Sequence, residues 1–197
     1  FNLPEKGEKK KMKQENIDIV THGLRFLRDC LGPYIVAVLQ SEFGDEWWQK
    51  GVLNNIDISR KDFNFPKKGT DEELMKRMDV QLCLQLFAYG CWKDVFKKRM
   101  PRVSRNWAIE LLENRNQYSH SGMGEDFSKE EIDRILNTIS FLVQKFDPKG
   151  AEEVNELIRK LRYGTEGAST EAAAPVPAPT ETPQMNLGGL PAWREVI

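Results

Sequence analysis

The sequence predicts an all-α protein, a helical bundle of about five helices followed by a disordered C-terminal linker. Three observations carry this. Apolar residues return at three- and four-residue steps in successive segments, the spacing that lines one face of a helix. Two helix starts carry a capping-box signature, Thr70 with Glu73 and Ser128 with Glu131, in which side chain and backbone satisfy each other's first orphan donors. No segment sustains the apolar–polar alternation of a strand, so helix-on-helix packing is the architecture left.

The first helix is expected over residues 17–43, with Asn16 as N-cap and Leu24, Leu27, Leu31, Ile35 and Val38 along one stripe. Pro33 should kink or divide it, since the ring removes an amide donor and crowds the preceding turn. Gly44 should end it. Residues 45–69 read as irregular, with Trp47 and Trp48 either stacking on bases or, in the commoner use of such a pair, anchoring a loop to the core. The second helix, about 71–98, has a broad apolar face: Leu74, Met78, Leu82 and Leu86 are joined by Val80, Leu84, Phe87 and Cys91, which predicts a central position. Pro101 breaks the chain. A third helix, about 102–119, places Val103, Trp107 and Leu111 on one stripe with Ala108 and Leu112 beside it, and Ser121, Gly122 and Gly124 stop it. In the fourth, Ile132, Ile135, Ile139, Leu142 and Phe146 keep helical spacing up to Asp147-Pro148. A short fifth helix, about 150–162, uses Val154, Leu157, Ile158 and Leu161.

The 197 residues thus divide into a basic polar segment (1–15), a helical domain (16–163), a linker rich in Ala, Pro and Thr (164–189) and the start of a downstream region (190–197). Phe1 in place of Met suggests a fragment. Hydrophobic residues make up 40% and charged residues 30%, an ordinary balance for a soluble protein. No apolar run approaches the roughly 18–20 residues that span a bilayer, so no membrane partner is expected. The polar, lysine-rich start lacks the features of a secretory signal. Cys30, Cys83 and Cys91 sit in apolar periodic segments, odd in number and without a CxxC pair; buried free thiols in a reducing, cytoplasmic setting are the expectation. With only His22 and His120 besides, neither a zinc site nor another cofactor is expected.

A net charge of −1 does not announce a nucleic-acid binder. Local charge says more. Lys97, Lys98, Arg99, Arg102 and Arg105 crowd into nine residues just before the segment that carries Arg115. They can hold phosphates, or the first three can simply cap the negative end of the preceding helix and face water.

The densest polar signal is Glu113-Asn114-Arg115-Asn116-Gln117-Tyr118-Ser119-His120. Histidine titrates near neutral pH and can move a proton between a ribose hydroxyl and a leaving oxygen. Arginine stays charged and can fork onto phosphate oxygens as negative charge builds. Asn116 can orient either one, and Tyr118 can stack or donate a hydrogen bond. On a continuous helix, five positions leave Arg115 and His120 about 140° apart, so convergence requires the helix to end near Ser119 and His120 to swing back. The plainer alternative is a helix-terminal histidine capping a carbonyl, with Asn116 a surface turn residue and Tyr118 a half-buried aromatic. His22, without a visible partner, reads as structural.

Arg115-Asn116-Gln117-Tyr118-Ser119-His120 resembles the Arg-polar…His motif of the HEPN superfamily of helical RNases and RNA-binding domains. Gly23-Leu24, Leu31-Gly32-Pro33-Tyr34, Gly44-Asp45-Glu46-Trp47-Trp48, Trp92-Lys93-Asp94-Val95-Phe96 and Phe127-Ser128 are similar to the branch shared with a nuclear messenger-RNA surveillance endoribonuclease and bacterial defence proteins. The resemblance covers about residues 17–146. It implies metal-independent RNA cleavage by a homodimer joined through the helix carrying Arg115 and His120: the 2′-hydroxyl attacks the adjacent phosphate and leaves a 2′,3′-cyclic phosphate. His120 would be the acid/base, Arg115 the transition-state clamp and Asn116 the polar support. Lys97, Lys98, Arg99, Arg102, Arg105 and Tyr118 would contact RNA. Tyr118-Ser119 departs from the more usual Trp-Ala of that motif. Residues 190–197 are similar to the segment that precedes the ATPase region of large defence ATPases. This gives a second reading, a non-catalytic dimerisation or RNA-sensing module that regulates an attached AAA-type ATPase.

Overall fold

A computed structural model describes residues 6–56, 65–120 and 127–163, with the side chains of residues 6–14, Tyr118 and His120 excepted. Among the described residues there are six α-helices and no strand: α1 (Lys6–Phe43), α2 (Asp71–Met75), α3 (Val80–Gln85), α4 (Arg102–His120), α5 (Lys129–Val143) and α6 (Pro148–Tyr163). The all-α bundle expected from the sequence is what the chain forms. The predicted linker at 164–189, the downstream start at 190–197 and the stop signals Ser121, Gly122 and Gly124 lie outside the described residues.

α1 begins at Lys6, ten positions before the predicted cap at Asn16. Residues 8–15 are Glu, Lys, Met and Gln, all good helix formers, so the helix has no reason to start later. Asn16 is not a cap. It lies inside α1, and its amide donates to the Phe127 carbonyl (3.3 Å), tying α1 to the approach to α5. Pro33 does not divide α1 either. It is exposed, as is Asp29 one turn before, so the carbonyl left without its amide partner faces solvent. The opposite stripe of Leu24, Leu27, Leu31 and Ile35 is buried and continues through Leu39.

Residues 44–55 are helical rather than irregular. A 3₁₀ turn (Gly44–Glu46), a π turn (Trp47–Val52) and a second 3₁₀ turn (Leu53–Asn55) follow one another, started by Gly44 at φ 57°. Both tryptophans anchor this stretch to the core: the Trp47 indole donates to Asp71 (2.9 Å) and that of Trp48 to the Pro66 carbonyl (2.7 Å).

The predicted second helix is broken. The capping box at Thr70 and Glu73 is present, yet α2 runs for only five residues and α3 restarts at Val80. Asp79 explains the restart, because its carboxylate accepts from the Leu82 amide at 2.7 Å as an N-cap. Arg28 of α1 explains why the break is tolerated: its guanidinium donates to the carbonyls of Met78 (3.0 Å) and Met75 (3.4 Å), which a helix end would otherwise orphan. Leu74, Met78, Leu82, Leu84, Leu86 and Phe87 are all buried, so the central position predicted for this segment holds.

α5 follows its capping box, with Ser128 and Glu131 bonded reciprocally, and buries Ile132, Ile135, Ile139 and Leu142 as expected. Loss of such a cap costs about 1 kcal/mol. Asp147 then caps α6 by accepting from the Gly150 amide (3.0 Å), with Pro148 at the first helical position, where its missing amide is no loss. α5 packs against α6, α1 and α4, while α3 packs between α1 and α4. α4, which carries the candidate site residues, is therefore held by packing against α3 and α5.

Candidate functional site

α4 opens directly after Pro101 and carries candidate residues at both ends. Its inward stripe matches the predicted one except at Val103, whose place Ser104 takes. Ser104, Ala108, Leu111 and Leu112 are buried, Trp107 is half-buried, and Val103 is 42% exposed. Small residues at 104 and 108 let the helix approach the chain before it, and Arg105 Nε donates to the Ala88 carbonyl at 2.7 Å across that contact.

Arg115 stands eleven positions after Ser104, about 20° away around the helix, and so continues the buried stripe at its C-terminal end. It is half-buried, and among the described residues no hydrogen bond or ion pair engages its guanidinium. A half-buried cation without a partner is a ready receiver for an anion, because the same low-dielectric surroundings that penalise it alone strengthen any charge pair it makes. Asn116 is also half-buried.

The backbone is helical through His120, the last residue of α4. The end expected near Ser119 is met to within one residue; on a helix that reaches position 120, that position follows one turn after Asn116 on the outward side, which it shares with Glu113 and Arg102, both exposed. Arg115 and position 120 therefore fall on different stripes of one helix. Tyr118 is also in α4, and the swing at Ser121-Gly122 lies outside the described residues.

The five cations expected to hold phosphate are split by the fold. Lys97 and Lys98 are exposed on a 3₁₀ turn (Phe96–Lys98), and Arg99 follows it with a bond to Glu42 on α1 (2.9 Å). Lys97, Arg102 and Arg105 come together in an open cleft of about 620 Å³, whose other walls are Tyr89, Trp92, Lys93 and Met100. Lys98 and Arg99 do not line it. The Arg105 guanidinium lies 5.6 Å over the Tyr89 ring.

Tyr89 and Lys93 are the functional candidates the sequence reading missed. Trp92-Lys93 stood within a matching motif, but nothing marked Tyr89 as outward. Its exposure comes from a π turn over Leu86–Gly90, in which the Cys91 amide bonds to the Leu86 carbonyl five residues back (2.7 Å) and shifts the helical register.

Among the described residues no group of three or more His, Cys, Asp or Glu is placed to hold a metal ion, and no helix is long and apolar enough to cross a membrane. His22 is exposed on α1. All three cysteines are free thiols, and burial first of all pushes each of them up to about 12.

These observations define the class: an all-helical domain in which α4 ends on Arg-Asn-x₃-His. The particular family follows from comparison of sequences. The profile of the Swt1-like HEPN family matches residues 22–147, and the chain belongs to that family. The family is of RNase type, and HEPN domains commonly bind RNA and dimerise. The matched span contains both the Arg115–His120 helix end and the cationic cleft. No curated protein and no solved structure matches the chain.

Proposed function

We propose that this domain is a metal-independent endoribonuclease whose centre is built from Arg115, Asn116 and His120. The observation that carries the reading is the half-buried Arg115 guanidinium at the end of α4, without a partner among the described residues, five positions before His120, within a family of RNase type. In the proposed step, His120 accepts the proton of a ribose 2′-hydroxyl and the 2′-oxygen forms a bond to the adjacent phosphorus. The bond to the 5′-oxygen breaks, and that oxygen takes up a proton from a histidine in its acid form. The products are a 2′,3′-cyclic phosphate and a 5′-hydroxyl. Arg115 stabilises the charge that collects on the non-bridging oxygens, and Asn116 supports its neighbours.

The unbroken helix gives this proposal a quaternary requirement. One α4 holds the two positions about 140° apart. A two-fold dimer joined through α4 sets the Arg115 of one protomer beside the His120 of the other, and an isologous interface makes two such pairings at once. We place the protein in the cytoplasm, in RNA-targeting or antiviral defence, and Lys97, Lys98, Arg99, Arg102, Arg105 and Tyr118 with the RNA.

The test is incubation of labelled RNA with the purified chain in EDTA, alongside His120→Ala. Cleavage by the first and not the second is expected. Equal cleavage by both, or none by either, counts against the reading.

The same continuous helix also favours a second reading, in which the domain is a non-catalytic dimerisation or RNA-sensing module controlling an AAA-type ATPase C-terminal to residue 197. If a longer protein carries such a region, deleting residues 1–163 should remove any response of its ATPase activity to RNA. An unaltered response excludes this role.

A further inference from the structure

We propose that the cleft at the start of α4 is a subsite for single-stranded RNA, in which an unpaired base lies against Tyr89 and the flanking phosphates are held by Lys93, Lys97 and Arg102. The identity of the polymer rests on the ribonuclease reading above; the cleft itself rests on separate observations.

The first is charge. Four of the seven residues lining the cleft are Lys or Arg, and none is Asp or Glu. The second is the position of two of them. Arg102 and Arg105 occupy the opening turn of a nineteen-residue helix that has no acidic residue there. The amino end of a helix carries partial positive charge and ordinarily attracts Asp or Glu. Crowding cations into it is locally unfavourable, and an incoming anion relieves both the dipole and the mutual repulsion.

Preorganisation is the third. Arg105 is fixed by its bond to the Ala88 carbonyl (2.7 Å), and it holds the Tyr89 ring from one side at 5.6 Å. Tyr89 follows the buried Phe87 and Ala88, yet it is 54% exposed because the π turn directs it outward. A flat ring braced by a guanidinium and open to a cationic cleft suits a nucleobase, whose stacking tolerates any base but requires that it be unpaired.

Register supplies the fourth. Eighteen positions, five whole turns, separate Arg102 from His120, so both fall on one stripe about 27 Å apart. At about 3.4 Å per nucleotide that is roughly eight nucleotides, fewer if the strand is extended. A strand seated at Tyr89 can follow the outward face of α4 toward His120, passing the exposed Glu113.

The experiment measures binding of a 5′-labelled single-stranded RNA decamer to the full 197-residue chain carrying His120→Ala, by fluorescence anisotropy. Tyr89→Ala should weaken binding about tenfold, and Tyr89→Phe should hold it within about twofold. Replacing Lys93 and Lys97 together by Ala should flatten the dependence of log K on log salt by about 1.4. Lys160→Ala, on α6, should change nothing, and a duplex of the same sequence should bind more weakly. ATP, which has a base and phosphates but cannot follow α4, should compete poorly. Affinity and salt slope unaltered in the Tyr89 and lysine variants overturn the proposal. So does equal binding of the duplex, or tight binding of ATP with none of RNA. The two readings fail separately: a chain that binds through Tyr89 but cleaves nothing sinks the ribonuclease reading alone, and one that cleaves with indifference to Tyr89 sinks only the cleft.

Discussion

Arg115 continues the buried stripe of α4 while His120, five positions later on the same unbroken helix, falls on the outward stripe about 140° away. A centre that uses both within one chain is therefore difficult to assemble, and a centre shared between two chains is not. This predicts complementation. Arg115→Ala and His120→Ala should each be inactive alone, and refolding them together should restore about a quarter of wild-type RNA cleavage, since half the dimers are mixed and each holds one intact pairing. A mixture as inactive as its parents contradicts a shared centre.

Gly90 closes the π turn that presents Tyr89, and it has no room for a side chain: a Cβ there would stand 2.9 Å from the Asn55 backbone oxygen. Backbone cannot swing aside as a flexible side chain does. Gly90→Ala should lose about 1–3 kcal/mol in urea denaturation and should weaken RNA binding along with it. An unchanged midpoint would show that the 53–55 turn yields freely.

Burial is the main cause that raises Cys30, Cys83 and Cys91 to about 12, and Cys91 also donates to the Gly51 carbonyl at 3.0 Å. At pH 8 such a thiol is ionised to roughly one part in ten thousand, and only the thiolate attacks a disulfide reagent. A colorimetric thiol assay should detect almost none in the native protein and all three after denaturation. Prompt labelling of the folded chain would contradict this.

Asp133 on α5 receives Arg162 of α6 in a fork, at 2.6 and 2.8 Å. The Arg162 hydrogen bond chiefly, its charge and the Asn137 amide hold the Asp133 carboxyl below the usual range, against a smaller opposing push from burial. A lowered folded value means that the stabilisation is complete above the unfolded value, about 3.9, and is lost as pH falls through the folded one. The pair is largely exposed, so the effect is small. Arg162→Ala should lower Tm slightly and evenly between pH 8 and 5, with the gap closing below about pH 4. A gap that widens in acid would reverse the sign of the argument.

Much of this fold was legible. Two capping boxes placed the starts of α2 and α5, and the 3.6-residue period of Ile132, Ile135, Ile139 and Leu142 gave the buried face of α5 directly. What escaped depends on partners far along the chain. The break between α2 and α3 is sustained by Arg28, some fifty residues away, although Asp79 before an apolar run was a local cue to the restart. On α4, Ala108, Leu111 and Leu112 were placed correctly on the inward side, but Val103 was not, because it outweighs Ser104 in hydrophobicity and yet Ser104 is the residue that is buried. Of the candidate residues, Arg115, Asn116 and His120 could be proposed from the resemblance of their order to the HEPN motif. Tyr89 could not, since one π hydrogen bond decides where it faces. Nor could the division of the cations, which is made by Glu42 and the Ala88 carbonyl.

The central claim is most directly tested by the ends of the cut RNA. A labelled oligonucleotide incubated in EDTA with the wild-type chain should yield 2′,3′-cyclic phosphate and 5′-hydroxyl termini. The yield should disappear in His120→Ala, and in a substrate whose cleaved position carries 2′-deoxyribose. Cleavage that survives loss of the 2′-hydroxyl, or that His120→Ala performs as well as wild type, would contradict the account.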